Sequence, residues 1–190
     1  MDREKWNARY RESPGTGAPS TFLTSLDELL PRRGRVLDVA GGTGRHALWL
    51  ARRGLDVTLA DLSDAGLAIA AGEAEREGLP LTTVQVDLER SPLPRGPWDV
   101  ILCFNFLHRP LFEAFARELA HGGYLVVEHP TRSNLLRHER PSARHLLEDG
   151  ELRGLMDSPA PGIVLELVRC DEGWTESGRH EARGLARART

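Results

Sequence analysis

The sequence predicts an α/β fold in which a mostly parallel β-sheet is covered by helices on both faces. Apolar segments of strand length alternate along the chain with segments of helical periodicity, which is the pattern of a doubly wound sheet. The first apolar segment also passes through closely spaced glycines into a helical pattern, as a buried strand does when it turns sharply into a helix. With 190 residues, one domain can bury a core of its own.

In the first half of the chain, proline, glycine and capping residues delimit the elements. The polar residues 1–20 contain several prolines and glycines and predict an irregular lead-in, and the apolar periodicity that follows predicts a helix ending at Pro31. A second helix ends at Gly54, and a third runs from Ser63, a typical N-cap residue, to Gly78. The predicted strands between them cover residues 35–40, 55–61 and 81–86.

The second half continues the alternation of strands and helices. The Pro-rich residues 91–97 predict a loop in a place where a further helix could stand. Pro110 suits the first turn of a helix that the glycine pair at 122–123 closes, and Asp149 is predicted to cap a short helix over residues 150–156. The remaining predicted strands cover residues 98–104, 124–128, 163–168 and 180–188.

Composition narrows the classes of function. The 25 basic and 28 acidic residues give a net charge of −3, which argues against a nucleic-acid partner. There is no basic-then-apolar leader and no apolar run near the length of a membrane span, so we expect a cytoplasmic protein without membrane association. Cys103 lies in an apolar run and is predicted to be a reduced core residue. The spacing of the histidines predicts no metal site.

The glycine turn in residues 36–47 predicts a nucleotide-like ligand, because glycines leave the backbone N–H groups bare at the start of a helix. Gly42, Gly44 and Ala47 match the dinucleotide fingerprint G-x-G-x-x-G/A, and Asp61 follows 19 residues after Gly42. This pattern fits NAD. It fits S-adenosylmethionine equally, because a carboxylate at the end of the second strand can bind the two ribose hydroxyls of either ligand.

Three further features favour methyl transfer. Asp38 at the end of the first strand would repel a pyrophosphate, whereas a ligand with a sulfonium and an ammonium would be attracted to it. Asp87 ends the third strand, where its carboxylate can accept a hydrogen bond from an adenine amine. The sequence also offers no second domain for a hydride acceptor. An NAD(P)-dependent oxidoreductase and a non-catalytic domain that senses the cofactor remain as alternatives.

At these residues the chain resembles the class I S-adenosylmethionine-dependent methyltransferases, and within them the tellurite-resistance and thiopurine-methyltransferase-like branch. Residues 6–10 resemble the W-x-x-R-[YW] opening of that branch. The turn resembles the D-x-G-x-G-x-G motif, except that Ala40 replaces the first glycine and Gly41 fills the next position, so we expect a negative φ at Ala40. Further similar blocks lie at residues 104–110, 123–128 and 146–152.

The resemblance implies a Rossmann-like sheet of seven strands with the last strand antiparallel. It implies one domain over residues 1–190, divided into an N-terminal lid and lead-in helix, 1–34, and the core, 35–190. The implied methyl donor is S-adenosylmethionine, and the product is S-adenosylhomocysteine. The acceptor would be a small molecule, with a tellurite or selenium oxyanion as the leading hypothesis and a small thiol or lipophilic heteroatom next. We expect a monomer or a homodimer.

The resemblance also assigns residues to the cofactor. Asp38 would face its ammonium, Asp61 the ribose hydroxyls and Asp87 the adenine amine, while Asn105 would contact the methionine part through its backbone carbonyl. Arg9 and Tyr10 would close over the cofactor from the N-terminus. The full set of implied cofactor contacts is Arg9, Tyr10, Asp38, Gly41, Gly42, Gly44, Asp61, Leu62, Asp87, Leu88 and Asn105.

On the acceptor side, His108 is the candidate general base, because it follows the fourth strand at the edge of the sheet where ligands bind. The alternative is a loop histidine bound to backbone. Arg179, His180 and Arg183 could bind an anionic substrate, or they could be charges that protect an edge strand. Trp6 could stack on a substrate or anchor the N-terminal segment.

Overall fold

The computed structural model describes residues 2–189, so the two ends of the predicted domain, residues 1 and 190, lie outside the described residues. Its strands are β1 (Arg35–Val39), β2 (Asp56–Asp61), β3 (Leu81–Gln85), β4 (Trp98–Phe104), β5 (Leu119–Pro130), β6 (Leu165–Trp174) and β7 (His180–Ala188). They form one seven-stranded sheet in the order β3-β2-β1-β4-β5-β7-β6. The first five strands pair in parallel, and β7 is antiparallel to both of its neighbours. The prediction of a mostly parallel sheet with an antiparallel last strand is confirmed.

Helices cover both faces of this sheet. They are α1 (Arg3–Glu12), α2 (Thr21–Ser25), α3 (Arg45–Ala51), α4 (Asp64–Glu77), α5 (Leu111–Glu118) and α6 (Glu151–Asp157), with 3₁₀ turns at Arg132–Leu136 and Ala143–His145. Alternate residues of β1 and β4 point to opposite faces, as the strand period requires. Leu37 and Ile101 pack with α5 and α6, whereas Val36 and Val100 pack with α2, α3 and α4. The prediction that helices cover both faces of the sheet is therefore confirmed.

The strand order reverses between β1 and β4. Strands β2 and β3 add to one side of β1, and the chain then crosses over so that β4 pairs with the other side of β1. Crevices at such a point, outside the carboxyl ends of the strands, are where open α/β sheets bind ligands. The turns after β1, β2 and β4 meet there. The fold thus brings the sequence-predicted ligand residues to one edge of the sheet.

Five local predictions are wrong. The helix predicted to end at Pro31 is α2, which ends at Ser25 and is followed by turns. Residues 3–12 of the predicted irregular lead-in form α1, which Asp2 caps by accepting a hydrogen bond from the Lys5 N–H at 3.2 Å. The glycine pair at 122–123 does not end α5, since β5 already begins at Leu119 and pairs with Trp98 of β4. The strand predicted over 163–168 runs instead over Leu165–Trp174. Asp149 does not cap α6, because its carboxylate binds Ser133.

The backbone at Ala40 also contradicts the prediction. Its φ is +53°, in the left-handed region that side chains rarely adopt, where we had expected a negative φ. The N–H of Ala40 itself donates to the Ala60 carbonyl at 2.7 Å, which continues the β1–β2 ladder by one residue before the chain turns. The turn therefore needs the conformation that glycine would supply, and alanine adopts it under strain.

Two further observations bear on Cys103 and on membrane-spanning helices. Cys103 is buried and forms no disulfide, as predicted for a core residue. Among residues 2–189, no helix is both long enough and apolar enough to cross a membrane.

Candidate functional site

A cavity of about 1570 Å³ opens at the carboxyl edge of the sheet. One wall is the glycine turn after β1 together with the ends of β2, β3 and β4. The other wall consists of α1, residues 139–142 and 144–145 of the connection before α6, and Arg179 at the start of β7. This volume exceeds that of many small-molecule sites, so it can take a nucleotide-sized ligand together with a second small molecule.

The glycine turn leaves no room for side chains. A Cβ at Gly41 would lie 2.5 Å from Asp38 Oδ2, and one at Gly42 would overlap the Tyr10 hydroxyl. Gly42 and Gly44 also have φ values of +60° and +80°, which favour glycine. The turn is therefore a close-fitting backbone surface on the cavity wall.

Asp61 fixes this turn from the end of β2. Its Oδ2 accepts a hydrogen bond from the Gly42 N–H at 2.8 Å, and its Oδ1 accepts one from the Ser63 N–H at 2.8 Å. Burial raises the pKa of Asp61, although both of these N–H groups act in the opposite direction. Asp61 lines the cavity, where each carboxylate oxygen has a second lone pair to offer a ligand.

Asp38 lies beneath the turn and is fully buried. Its Oδ2 accepts a hydrogen bond from the Ala47 N–H at 3.1 Å, whereas its Oδ1 is buried with no partner among the described residues. Burial raises the pKa of this carboxyl to about 7. Asp38 does not belong to the lining of the cavity, so the structure places it one layer behind the turn.

Asp87 follows β3 and also stands outside the cavity lining. Its Oδ1 accepts a hydrogen bond from the Glu89 N–H at 3.1 Å, and its Oδ2 lies 3.8 Å from Arg90 Nε. Its neighbours Val86 and Leu88 do line the cavity. Of the three predicted carboxylates, the structure brings Asp61 to the cavity surface and leaves Asp38 and Asp87 close behind it.

Helix α1 is attached to the rest of the domain through Asn7, a residue that the sequence analysis did not identify. Asn7 is buried in an otherwise exposed helix, and its Oδ1 accepts hydrogen bonds from the Ser63 hydroxyl at 2.6 Å and the Ala65 N–H at 3.3 Å. Its Nδ2 donates to Asp64 Oδ1 at 2.8 Å. Asn7 therefore holds the N-terminus of α4 from a different helix. It occupies a variable position of the resembled opening motif, so no sequence signal marked it.

Tyr10 and Trp6 place aromatic rings of α1 at the cavity. Burial and the nearby charge of Asp61 raise the pKa of Tyr10 to about 12. Trp6 stacks on Tyr10 with ring centroids 5.8 Å apart, and the Arg9 guanidinium lies 5.3 Å from the Trp6 centroid. The three predicted N-terminal residues are thus together, and all of them line the cavity.

Among the predicted acceptor residues, the structure brings some to the cavity and not others. His108 and Arg179 line it. Arg179 is oriented by Asn105, whose Oδ1 accepts its N–H at 2.8 Å, and by Glu181 at 3.0 Å. His180 and Arg183 are not part of the lining; His180 Nδ1 is instead 2.6 Å from the Thr131 hydroxyl.

Comparison with known proteins agrees with this geometry. Residues 36–123 match the family model described as a methyltransferase domain. This stretch of the chain is therefore similar to methyltransferase domains, and it makes up a little under half of the sequence. The matched residues run from β1 to the glycine pair within β5 and so include the glycine turn, Asp38, Asp61 and Asp87.

Individual relatives are methyltransferases as well. A demethylmenaquinone methyltransferase of Thermus thermophilus is 39% identical over 100 residues, which cover 49% of this chain and 46% of that protein. A glycine/sarcosine N-methyltransferase of Parasynechococcus marenigrum is 34% identical over 143 residues, covering 69% of this chain and 48% of that protein. The chain spans about half the length of the curated relatives it matches. TehB from Haemophilus influenzae has the same fold, with a TM-score of 0.73 at 21% identity over 97% of this chain and 67% of that one.

The residues of the site fit S-adenosylmethionine, the cofactor that the sequence resemblance implies. The glycine turn brings bare backbone to the cavity wall, and the unpartnered Asp38 Oδ1 is a buried acceptor for a cationic group. Asp61 is a buried residue at the cavity wall, where the second lone pair of each carboxylate oxygen can accept from a vicinal hydroxyl. The dinucleotide alternative fits less well, because Asp38 would place a carboxyl behind a bound pyrophosphate.

Proposed function

We propose that this chain transfers a methyl group from S-adenosylmethionine to a small anionic acceptor. The observation that carries the proposal is that one cavity is lined both by the glycine turn and Asp61 and by a set of cationic side chains. Although the chain has a net charge of −3, six arginines and Lys5 line this cavity against four carboxylates. The arginines are Arg9, Arg45, Arg109, Arg140, Arg144 and Arg179.

For the cofactor, we propose that Asp61 binds the ribose hydroxyls and that Asp38 faces the ammonium. Leu88 would contact the adenine ring edge through its backbone, with Asp87 bonding the adenine amine. The two residues behind the lining, Asp38 and Asp87, would reach the ligand by a small movement of the turn or through a water molecule. These assignments rest on the placement of each residue at the end of successive strands.

In the reaction, bound S-adenosylmethionine supplies a methyl group already activated on a sulfonium. The residues of the chain then have to hold the acceptor in line with it and exclude water, and such alignment can lower a barrier by about 7–11 kcal/mol. We propose that α1 is the lid, because Tyr10 and Trp6 already cover the glycine turn. Arg9 would close over the cofactor with them.

For the acceptor, the cations near residues 139–145 favour an oxyanion over a neutral molecule. Within that class, we propose a tellurite or selenium oxyanion, with a small thiolate as the second candidate. Either nucleophile attacks without losing a proton, so neither requires a general base. His108 would act as a base only for an acceptor that carries a proton on the attacking atom.

The test is methyl transfer with the intact chain. The chain is incubated with methyl-labelled S-adenosylmethionine and tellurite, selenite or a small thiol, and the labelled product and S-adenosylhomocysteine are measured by mass spectrometry. We expect turnover of an anionic acceptor, a higher KM in Arg144→Gln, and an unchanged KM in Arg95→Gln, since Arg95 is exposed outside the cavity. Binding of the cofactor without turnover of any acceptor would contradict the proposal and favour a sensing domain.

A further inference from the structure

His46 is a buried histidine at the cavity that the reaction outlined above does not use. It lies in the first turn of α3, directly after the glycine turn, and is 2% exposed. Its ring packs against Phe104 at the end of β4 in a tilted arrangement, with centroids 4.2 Å apart and the ring planes at 46°, and both residues line the cavity. Its Nε2 is buried without a hydrogen-bond partner among residues 2–189.

The imidazole is electrically neutral in this position. Burial, followed by the positive charge of Arg45, lowers the pKa of His46 to about 3. It therefore offers a neutral nitrogen and cannot serve as a cation for an anionic acceptor. A buried polar atom without a partner costs free energy, and native structures usually satisfy such atoms with protein, water or a ligand.

A second buried atom without a partner belongs to the carboxyl of Asp38, behind the glycine turn. This atom is Oδ1, and the other oxygen of that carboxyl binds the N–H of Ala47, the residue that follows His46. Both atoms can accept a hydrogen bond, Asp38 Oδ1 when the carboxyl is ionised and His46 Nε2 when the neutral ring carries its proton on Nδ1. An ammonium group has three N–H donors and is the one cationic donor of this kind in S-adenosylmethionine.

We propose that His46 is a positioning residue that accepts a hydrogen bond through Nε2 from the ammonium of the bound cofactor, alongside Asp38. The inference rests on the proposed function, because it assumes that the amino-acid end of the cofactor passes over the glycine turn. Phe104 packs against the ring and holds it in place, while burial and, after it, the charge of Arg45 keep the ring unprotonated. His46 thereby fixes the amino-acid end and, through it, the direction of the methyl–sulfur bond.

The test compares two ligands by calorimetry. S-adenosylhomocysteine carries the ammonium, whereas 5′-methylthioadenosine has the same adenosine and thioether and lacks the amino-acid end. His46→Phe preserves an aromatic ring against Phe104 and removes the ring nitrogens. We expect it to weaken S-adenosylhomocysteine binding by about tenfold or more and to leave 5′-methylthioadenosine binding unchanged within about twofold. His46→Asn restores a polar acceptor and should recover part of the loss.

The outcomes separate this inference from the proposed function. An equal loss for both ligands would overturn the inference, because it would show a general disturbance of the pocket. Unchanged S-adenosylhomocysteine binding in both variants, with a raised acceptor KM, would also overturn it and move the contact to the acceptor. Failure of the unsubstituted chain to bind S-adenosylhomocysteine would instead overturn the proposed function. Melting temperatures of both variants show whether each is folded when measured.

Discussion

The Oδ1 atom of Asn7 accepts a hydrogen bond from the hydroxyl of Ser63 at 2.6 Å, across 56 positions of the sequence. The same serine donates its backbone N–H to Asp61 at 2.8 Å and caps α4 by accepting from the Gly66 N–H at 3.0 Å. One residue therefore joins α1, the N-terminus of α4 and the carboxylate proposed for the ribose. The position of α1 and the geometry of the cofactor site are mechanically linked through Ser63.

Substitution of Asn7 tests this link. Asn7→Ala removes the acceptor of the Ser63 hydroxyl and the donor to Asp64, so we expect α1 to detach while the sheet stays folded. Limited proteolysis should then cut near residues 3–12, and turnover should fall because the cavity opens. Deletion of residues 1–12 should have the same effect on turnover.

Glu12→Ala is the matched control, since Glu12 is exposed on the same helix. It should leave proteolysis and turnover unchanged. A detached α1 with full turnover would show that α1 is not a lid.

Asp61 gives a second prediction. Asp61→Ala removes the proposed acceptor of the ribose hydroxyls and should weaken S-adenosylhomocysteine binding by about 1–3 kcal/mol. Part of this loss arises because the Gly42 N–H also loses its partner. Asp56→Ala changes an exposed carboxylate at the other end of β2 and should have no effect on calorimetric affinity. Equal affinities of Asp61→Ala and the unsubstituted chain would place the ribose elsewhere.

Much of the sheet could be predicted because its signals are local. The strands β1 to β4 are short apolar segments bounded by glycine or proline, and Ser63 and Gly78 mark the ends of α4 as expected. The start of β5 could not be predicted in this way. Leu119 becomes strand because it pairs with Trp98, a tertiary contact that overrides the local sequence.

The site was predictable only in part, for a similar reason. Asp61 and the glycine turn follow from motif spacing, whereas Asn7 is buried by a contact with a distant helix. Asp2, as an N-cap residue three positions before Lys5, was a local signal for α1 that could have been used. The cations Arg140 and Arg144 reach the cavity through a connection whose path no periodicity encodes.

Asp38 predicts a pH dependence of stability. Its folded-state pKa of about 7 exceeds the ordinary value of 3.8, so between about pH 4 and pH 7 the folded chain keeps a proton that the unfolded chain releases. The free energy of unfolding should therefore fall as the pH rises through this window, by up to about 1.4 kcal/mol per pH unit from this group. The burial-raised pKa values of Asp61 and Glu128 act in the same direction.

Asp38→Asn removes the contribution of Asp38 and keeps an acceptor for the Ala47 N–H. The free energy of unfolding, measured with urea at pH 5 and at pH 8, should differ less between the two pH values in this variant than in the unsubstituted chain. At pH 8 the variant should be the more stable of the two. Asp56→Asn, at an exposed site, should reproduce the unsubstituted pH profile. Identical profiles for Asp38→Asn and the unsubstituted chain would show that Asp38 is ionised as usual in the folded state.

Ala40 predicts a stabilising substitution. Its φ of +53° costs an alanine about 1–2 kcal/mol relative to a conformation that it prefers. Ala40→Gly removes this strain and loses one partly buried methyl group, so we expect a net gain of about 0.5–1 kcal/mol in the free energy of unfolding. Ala68→Gly, at an exposed position inside α4, should instead lose about 1 kcal/mol. Equal losses from both substitutions would show that the turn holds Ala40 without strain.

We propose that the carboxylates behind and beside the glycine turn form the binding site of S-adenosylmethionine. Calorimetric titration of the intact chain with S-adenosylhomocysteine, and separately with NADH, tests this proposal most directly. We expect saturable binding of S-adenosylhomocysteine to one site per chain and no binding of NADH. Saturable binding of NADH with none of S-adenosylhomocysteine would contradict the proposal.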